Sequence, residues 1–149
     1  MKASIVHTRR FAVLGAVLVA LLVMAALPAV AAKGGGNLKC SELGLEELLL
    51  DDAPSYVGQI VSNGDVTVEI TAVGEKLDGS GEIVKFMWTQ LDGPTIDSVV
   101  VKGGPANYKY SNPYPDYLWA PIKGEPGTGS SHHEISNVRW CYPAVGPSA

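Results

Sequence analysis

Two groups of side chains in this chain have types and spacings that could do chemistry. Ser131-His132-His133-Glu134 sets two imidazoles beside a carboxylate, a donor set that zinc or copper takes. A metal held by His132, His133 and Glu134 would make the protein a small metal-assisted extracellular hydrolase. The spacing weighs against this, because neighbours on a strand point to opposite faces and the His-Glu-x-x-His pattern of a helical zinc site is absent. The plainer reading is a polar loop that leads into the last strand.

The second group is aromatic. Tyr108, Tyr110, Tyr114, Tyr117 and Trp119 place five rings within 12 positions, interleaved with Asn107, Asn112 and Asp116. Rigid ring faces beside amides suit a sugar ring or a protein partner. The alternative is that the rings cover a sheet edge and brace the proline-bearing stretch 111–117. These five residues are the ligand-binding candidates, and a glycan or a cell-surface protein is the partner they suggest.

Other constellations carry less. Asp78-Gly79-Ser80-Gly81-Glu82 begins like a calcium loop but lacks the later glutamate, so a hairpin turn explains it. There is no Gly-x-Ser-x-Gly elbow, and Ser130 and Ser131 beside His132 do not make a triad. Asp92, Asp97 and Asp116 could in principle supply a carboxylate pair, although acidic residues on a small β domain are usually surface. Lys102-Gly103-Gly104 lacks the phosphate-loop pattern. No catalytic residue and no cofactor is assigned from the sequence.

The elements that must position these residues begin with an export signal. Lys2, Arg9 and Arg10 precede an uncharged run from Phe11 to Leu27, broken by Pro28 and followed by Ala29-Val30-Ala31-Ala32. This reads as a secretory signal over residues 1–32, cut after Ala31 or Ala32, with an uncleaved anchor as the alternative. Without it, eight basic residues face all 15 acidic ones, a formal charge of −7. That balance argues against nucleic acid or an anionic membrane as partner, and no membrane contact beyond the signal is expected. The location implied is secreted, extracellular or cell-surface, with a periplasm also compatible.

The chain has two cysteines, Cys40 and Cys141, and in an exported protein the default is that they pair. Residues 33–39, with Gly34-Gly35-Gly36, read as a flexible lead, 40–143 as one disulfide-closed domain and 144–149 as a tail. Leu45, Leu48 and Leu49 stand at helical spacing with Glu42, Glu46 and Glu47 opposite, which predicts one short N-terminal helix within Ser41–Asp52. From Tyr56 onward strands and turns alternate. Strands are expected over Tyr56–Ser62, Asp65–Val73, Ile83–Gln90, Ile96–Lys102, Asn107–Tyr110, Tyr117–Ile122 and Ile135–Tyr142. Asn63-Gly64, Asp78-Gly79 and Asp92-Gly93-Pro94 supply the turns. This is the pattern of an all-β, mostly antiparallel β-sandwich, with a small β-barrel as the alternative. Its deepest core should hold Val68, Ile70, Val84, Phe86, Trp88, Val99, Val101, Val138 and Trp140.

Four blocks within residues 83–142 carry a resemblance. Asp97-Ser98-Val99-Val100-Val101-Lys102-Gly103-Gly104, Asn107-Tyr108-Lys109-Tyr110, Leu118-Trp119-Ala120-Pro121 and Ile135-Ser136-Asn137-Val138-Arg139-Trp140-Cys141-Tyr142 follow in order. The order resembles a pattern of exported, often surface-displayed β-sandwich proteins without an assigned activity, with Asn137 where the pattern often has His and Trp140 for Phe. The resemblance implies topology and export. The function expected is therefore a secreted or surface-exposed module with a binding or structural role.

Overall fold

The computed structural model describes residues 30–111, 116–123 and 131–146. Most of the expected signal (1–29), Tyr114, Ser130 and the end of the tail lie outside the described residues. The described chain is all-β: two antiparallel sheets pack face to face and do not close into a barrel. Nine strands are described: β1 Val30–Gly35, β2 Glu46–Leu50, β3 Ile60–Ser62, β4 Thr67–Glu75, β5 Ile83–Asp92, β6 Ser98–Gly103, β7 Ala106–Ser111, β8 Leu118–Trp119 and β9 Ile135–Tyr142. One sheet runs β1-β7-β6-β9-β2 and the other β3-β4-β5-β8.

Alternation decides which side chains meet between the sheets. Val68 and Ile70 of β4, Phe86 and Trp88 of β5, Val99 and Val101 of β6, and Val138 and Trp140 of β9 share one buried cluster. All nine residues expected in the deepest core are buried. Trp140 sits at the centre, edge-on to Phe86 and Trp88 with ring centroids 6.1 and 6.0 Å away. Such contacts add roughly 0.5–1.5 kcal/mol each beyond area burial.

Two expectations near the N-terminus are corrected. Instead of a helix within Ser41–Asp52, a single 3₁₀ turn, Cys40–Leu43, is followed directly by β2. Gly44 enters the left-handed region at φ 73° and ends the turn, so the helical register never propagates. The leucines do not share a face. Leu45 packs beside the cysteines, Leu48 enters the core, and Leu49 stays exposed. The second correction is the lead at 33–39. Val30–Gly35 forms an edge strand on β7, with Ala31 opposite Lys109 and Gly34 opposite Asn107 across a bulge. Pairing through backbone groups needs no side-chain pattern, so a glycine-rich stretch can take an edge that hydropathy does not reveal.

From β1 the chain crosses the outer face of the five-stranded sheet as a strap, Gly36–Leu45, and joins β2 at the opposite edge. Gly36 accepts from Asn107 Nδ2 at 2.6 Å, and Asn37 accepts from Arg139 at 3.4 Å. The disulfide Cys40–Cys141 pins the strap at its middle. Leu38, Leu43 and Leu45 pack there against Val100 and both cysteines, a second apolar cluster on the far side of the sheet from the main core.

Candidate functional site

The aromatic group is divided by the fold. Tyr108 and Tyr110 share one face of β7, Tyr110 buried and Tyr108 partly so, and meet edge-on, with centroids 6.4 Å apart. Tyr110 is 7% exposed, and its hydroxyl accepts from Trp119 N–H at 3.0 Å and donates to the Trp119 carbonyl at 2.8 Å. Burial outweighs these bonds and pushes its phenol up to about 12. Tyr108 accepts from the Ile122 N–H at 3.5 Å. Tyr110 is buried at the junction between the sheets, and Tyr108 is partly buried beside it.

Tyr117 and Trp119 face outward. β8 is the edge strand of the four-stranded sheet, where Leu118 enters the core and Trp119 pairs with Lys85 of β5. Lys85 pairs on its other side with Gly74 of β4, so Gly74, Lys85 and Trp119 form one cross-strand row on the outer face. The Lys85 ammonium lies 4.6 Å from the Tyr117 ring centre and 4.5 Å from that of Trp119. Each such contact is worth roughly 0.5–1 kcal/mol at an exposed site. The lysine stem lies flat over Gly74, where an added Cβ would come within 2.6 Å of Lys85 Cγ. Glycine here gives the lysine stem its track by close approach and not by backbone angle; an added Cβ would displace the flexible stem.

His132 extends the strip. Its ring is tilted 32° against Trp119 with centroids 4.7 Å apart, and its Nδ1 is 2.6 Å from the Ala120 carbonyl. The Nδ1–H therefore donates, which leaves Nε2 without the proton in the neutral ring. An antiparallel bridge between Ile122 and His132 holds the residue beside β8. The result is a surface strip, Tyr117–Lys85–Trp119–His132, with Tyr117 38% exposed. Lys85 has no carboxylate partner among the described residues, whereas Arg139 pairs with Glu47 at 3.2 Å and Lys76 with Glu82.

His133 turns the other way. Its ring packs on Gly104, which takes φ +57° and has no room for a Cβ. With Glu134, Glu82, Asp52 and Lys123 it lines an open polar cleft of about 380 Å³. Burial, then the charges of Lys123 and Lys76, hold its imidazole below the ordinary histidine range. His132, His133 and Glu134 are therefore not brought to one point. Among the described residues no three metal-ligating side chains converge. In the Asp78–Glu82 turn, Asp78 accepts from Ser80 N–H at 3.0 Å while Lys76 pairs with both carboxylates. Those oxygens are spent on the turn.

Sequence reasoning grouped five rings by spacing and missed both Lys85 and the stacking of His132 on Trp119. The alternation at Ile83–Gln90 did place Lys85 on the outer face; nothing in one dimension placed β8 beside β5. Among the described residues no helix is long and apolar enough to cross a membrane. Comparison with protein-family models, with curated proteins and with solved structures finds no match to this chain.

Proposed function

We propose that this protein is a secreted or surface-exposed β-sandwich module with a binding role, and that it contacts its ligand through the Tyr117–Lys85–Trp119–His132 strip. The observation that carries this reading is the pair of outward rings held around an ordered lysine. An unsupported surface lysine samples many rotamers, and fixing one costs up to about 2 kcal/mol. Here the cost is met by two ring faces and a glycine-floored track. A side chain ordered before a ligand arrives loses less on binding.

Export is part of the proposal. It is supported by the charge and hydropathy pattern of residues 1–32 and by the Cys40–Cys141 disulfide, which is compatible with an oxidising compartment. The order of the four sequence blocks in residues 83–142 fits the same group of exported, surface-displayed modules. The test has two parts. Mass analysis of protein recovered outside the cytoplasm should give an N-terminus at Ala32 or Lys33, which removes Val30 and Ala31 from β1 and leaves Gly34 and Gly35 as its residues paired with β7. A glycan array and a surface-protein pull-down with disulfide-intact protein should yield a ligand whose capture falls with Tyr117→Ala and Trp119→Ala. Capture that ignores both changes removes the strip as the contact face.

A further inference from the structure

The strip carries an inference about its ligand that rests on the binding reading above and adds a chemistry to it. We propose that it is a subsite for a carboxylate-bearing polysaccharide of the uronic acid type. The sign of the ligand's charge follows from Lys85. In a chain with 15 acidic and 11 basic residues, this ammonium stands on an outer face with no acid opposite it among the described residues. The row partners on either side are Gly74 and Trp119, and Glu69, on the same face, stands opposite Thr89. The ammonium is held by ring faces, which attract it without using up its N–H donors, so a carboxylate oxygen can still accept from it.

A sugar fits this face better than an acidic peptide does. Tyr117 offers an exposed ring against which the C–H face of a pyranose can lie, next to the cation that would take its carboxylate. On β4 the adjoining outer-face residues, Gly74 and Ala72, are small, and Met87 of β5 stands beside Ala72 as a further apolar surface along which a repeating polymer can lie. A peptide would normally add to the sheet edge through backbone bonds. At Trp119 that route is closed, because the Tyr110 hydroxyl already occupies both its N–H and its carbonyl.

The test is titration calorimetry of disulfide-intact protein with polygalacturonate, its methyl-esterified form, neutral dextran and poly-glutamate. Wild type should bind polygalacturonate about tenfold more tightly than the ester, a margin that shrinks as salt rises. Lys85→Met, which keeps the stem over Gly74 and removes the charge, should bring the two polymers within about twofold of each other. Gly74→Ala leaves charge and rings intact but displaces the stem, and should weaken polygalacturonate binding while the melting temperature stays close to wild type. Equal binding of acid and ester, or a preference unchanged by Lys85→Met, overturns the assignment. Preferential binding of poly-glutamate overturns the sugar class. If a Tyr117-dependent ligand is found that is neutral, this proposal fails while the binding reading stands. If no ligand depends on Tyr117 or Trp119, both fail.

Discussion

The Tyr110 hydroxyl closes the open edge of the sandwich at Trp119, taking that residue's N–H at 3.0 Å and giving its own proton to the carbonyl at 2.8 Å. One side chain from the five-stranded sheet thus satisfies two backbone groups of the edge strand in the other. Exposed edges are templates for pairing with another chain. Tyr110→Phe keeps the ring and removes both bonds. It should cost about 1–3 kcal/mol of unfolding free energy in a denaturant titration. It should also increase concentration-dependent association measured by light scattering. A variant as stable and as monomeric as wild type would show that the hydroxyl is not what guards the edge.

The same residue sets an alkaline limit. Its phenol titrates near 10 in an unfolded chain and is pushed up to about 12 in the fold, chiefly by burial. The folded state therefore holds its proton more tightly. The associated stability is complete below pH 10 and is lost as pH rises through 12. Melting temperatures measured from pH 9 to 12 should fall more steeply for wild type than for Tyr110→Phe. Parallel curves would count against the assignment.

The Cys40–Cys141 bridge encloses a separation of 101 residues, and both cysteines are fully buried. The chain-entropy model allows about 4–5 kcal/mol for such a loop. Cys40→Ser combined with Cys141→Ser should lose about 2–5 kcal/mol in chemical denaturation. Hydrogen exchange should show the first loss of protection in the strap 36–45, before the Trp140 core. Uniform loss across both sheets would mean that the strap and the core melt as one unit.

Asn63 ties the β3–β4 turn to the five-stranded sheet. Its Nδ2 donates to the Tyr142 hydroxyl at 2.7 Å and the Glu47 carbonyl at 3.2 Å. Its Oδ1 accepts from Asp65 and Val66 N–H at 3.1 and 3.0 Å. Asn63→Ala removes all four, and an expected loss of about 1–3 kcal/mol is measurable by thermal or urea unfolding. Asn63→Asp keeps the two acceptor bonds and should lose less.

The parts of the fold that were legible in the sequence are those where one face is wet and one is dry. Val68 and Ile70, and Val84, Phe86 and Trp88, announce strands because the period of two follows from burial on one side. β9 was legible over its whole length, Ile135–Tyr142. The helix expected within Ser41–Asp52 failed for a local reason, a left-handed Gly44 followed by three leucines that go to three environments. β1 was hidden because its bonding is carried by backbone. At the candidate site, Tyr117 and Trp119 were found as aromatics. The partition of Tyr108 and Tyr110 into bracing depends on the approach of β7 to β8, and Lys85 on the pairing of β5 with β8. Contacts between strands distant in sequence are set by topology, which a linear pattern does not encode.

The position of β9 has a consequence for how the molecule is made. Among the described strands this one comes last in sequence, yet it lies in the interior of its sheet, between β6 and β2. Until residues 135–142 emerge, β2 has no neighbour and Trp140 leaves a hole between the layers. The nascent chain can build the β4–β5 hairpin early, but the β6–β9–β2 part of the other sheet must wait for residues 135–142. Cys40 waits with it, as a thiol held over a separation of 101 residues until its partner arrives.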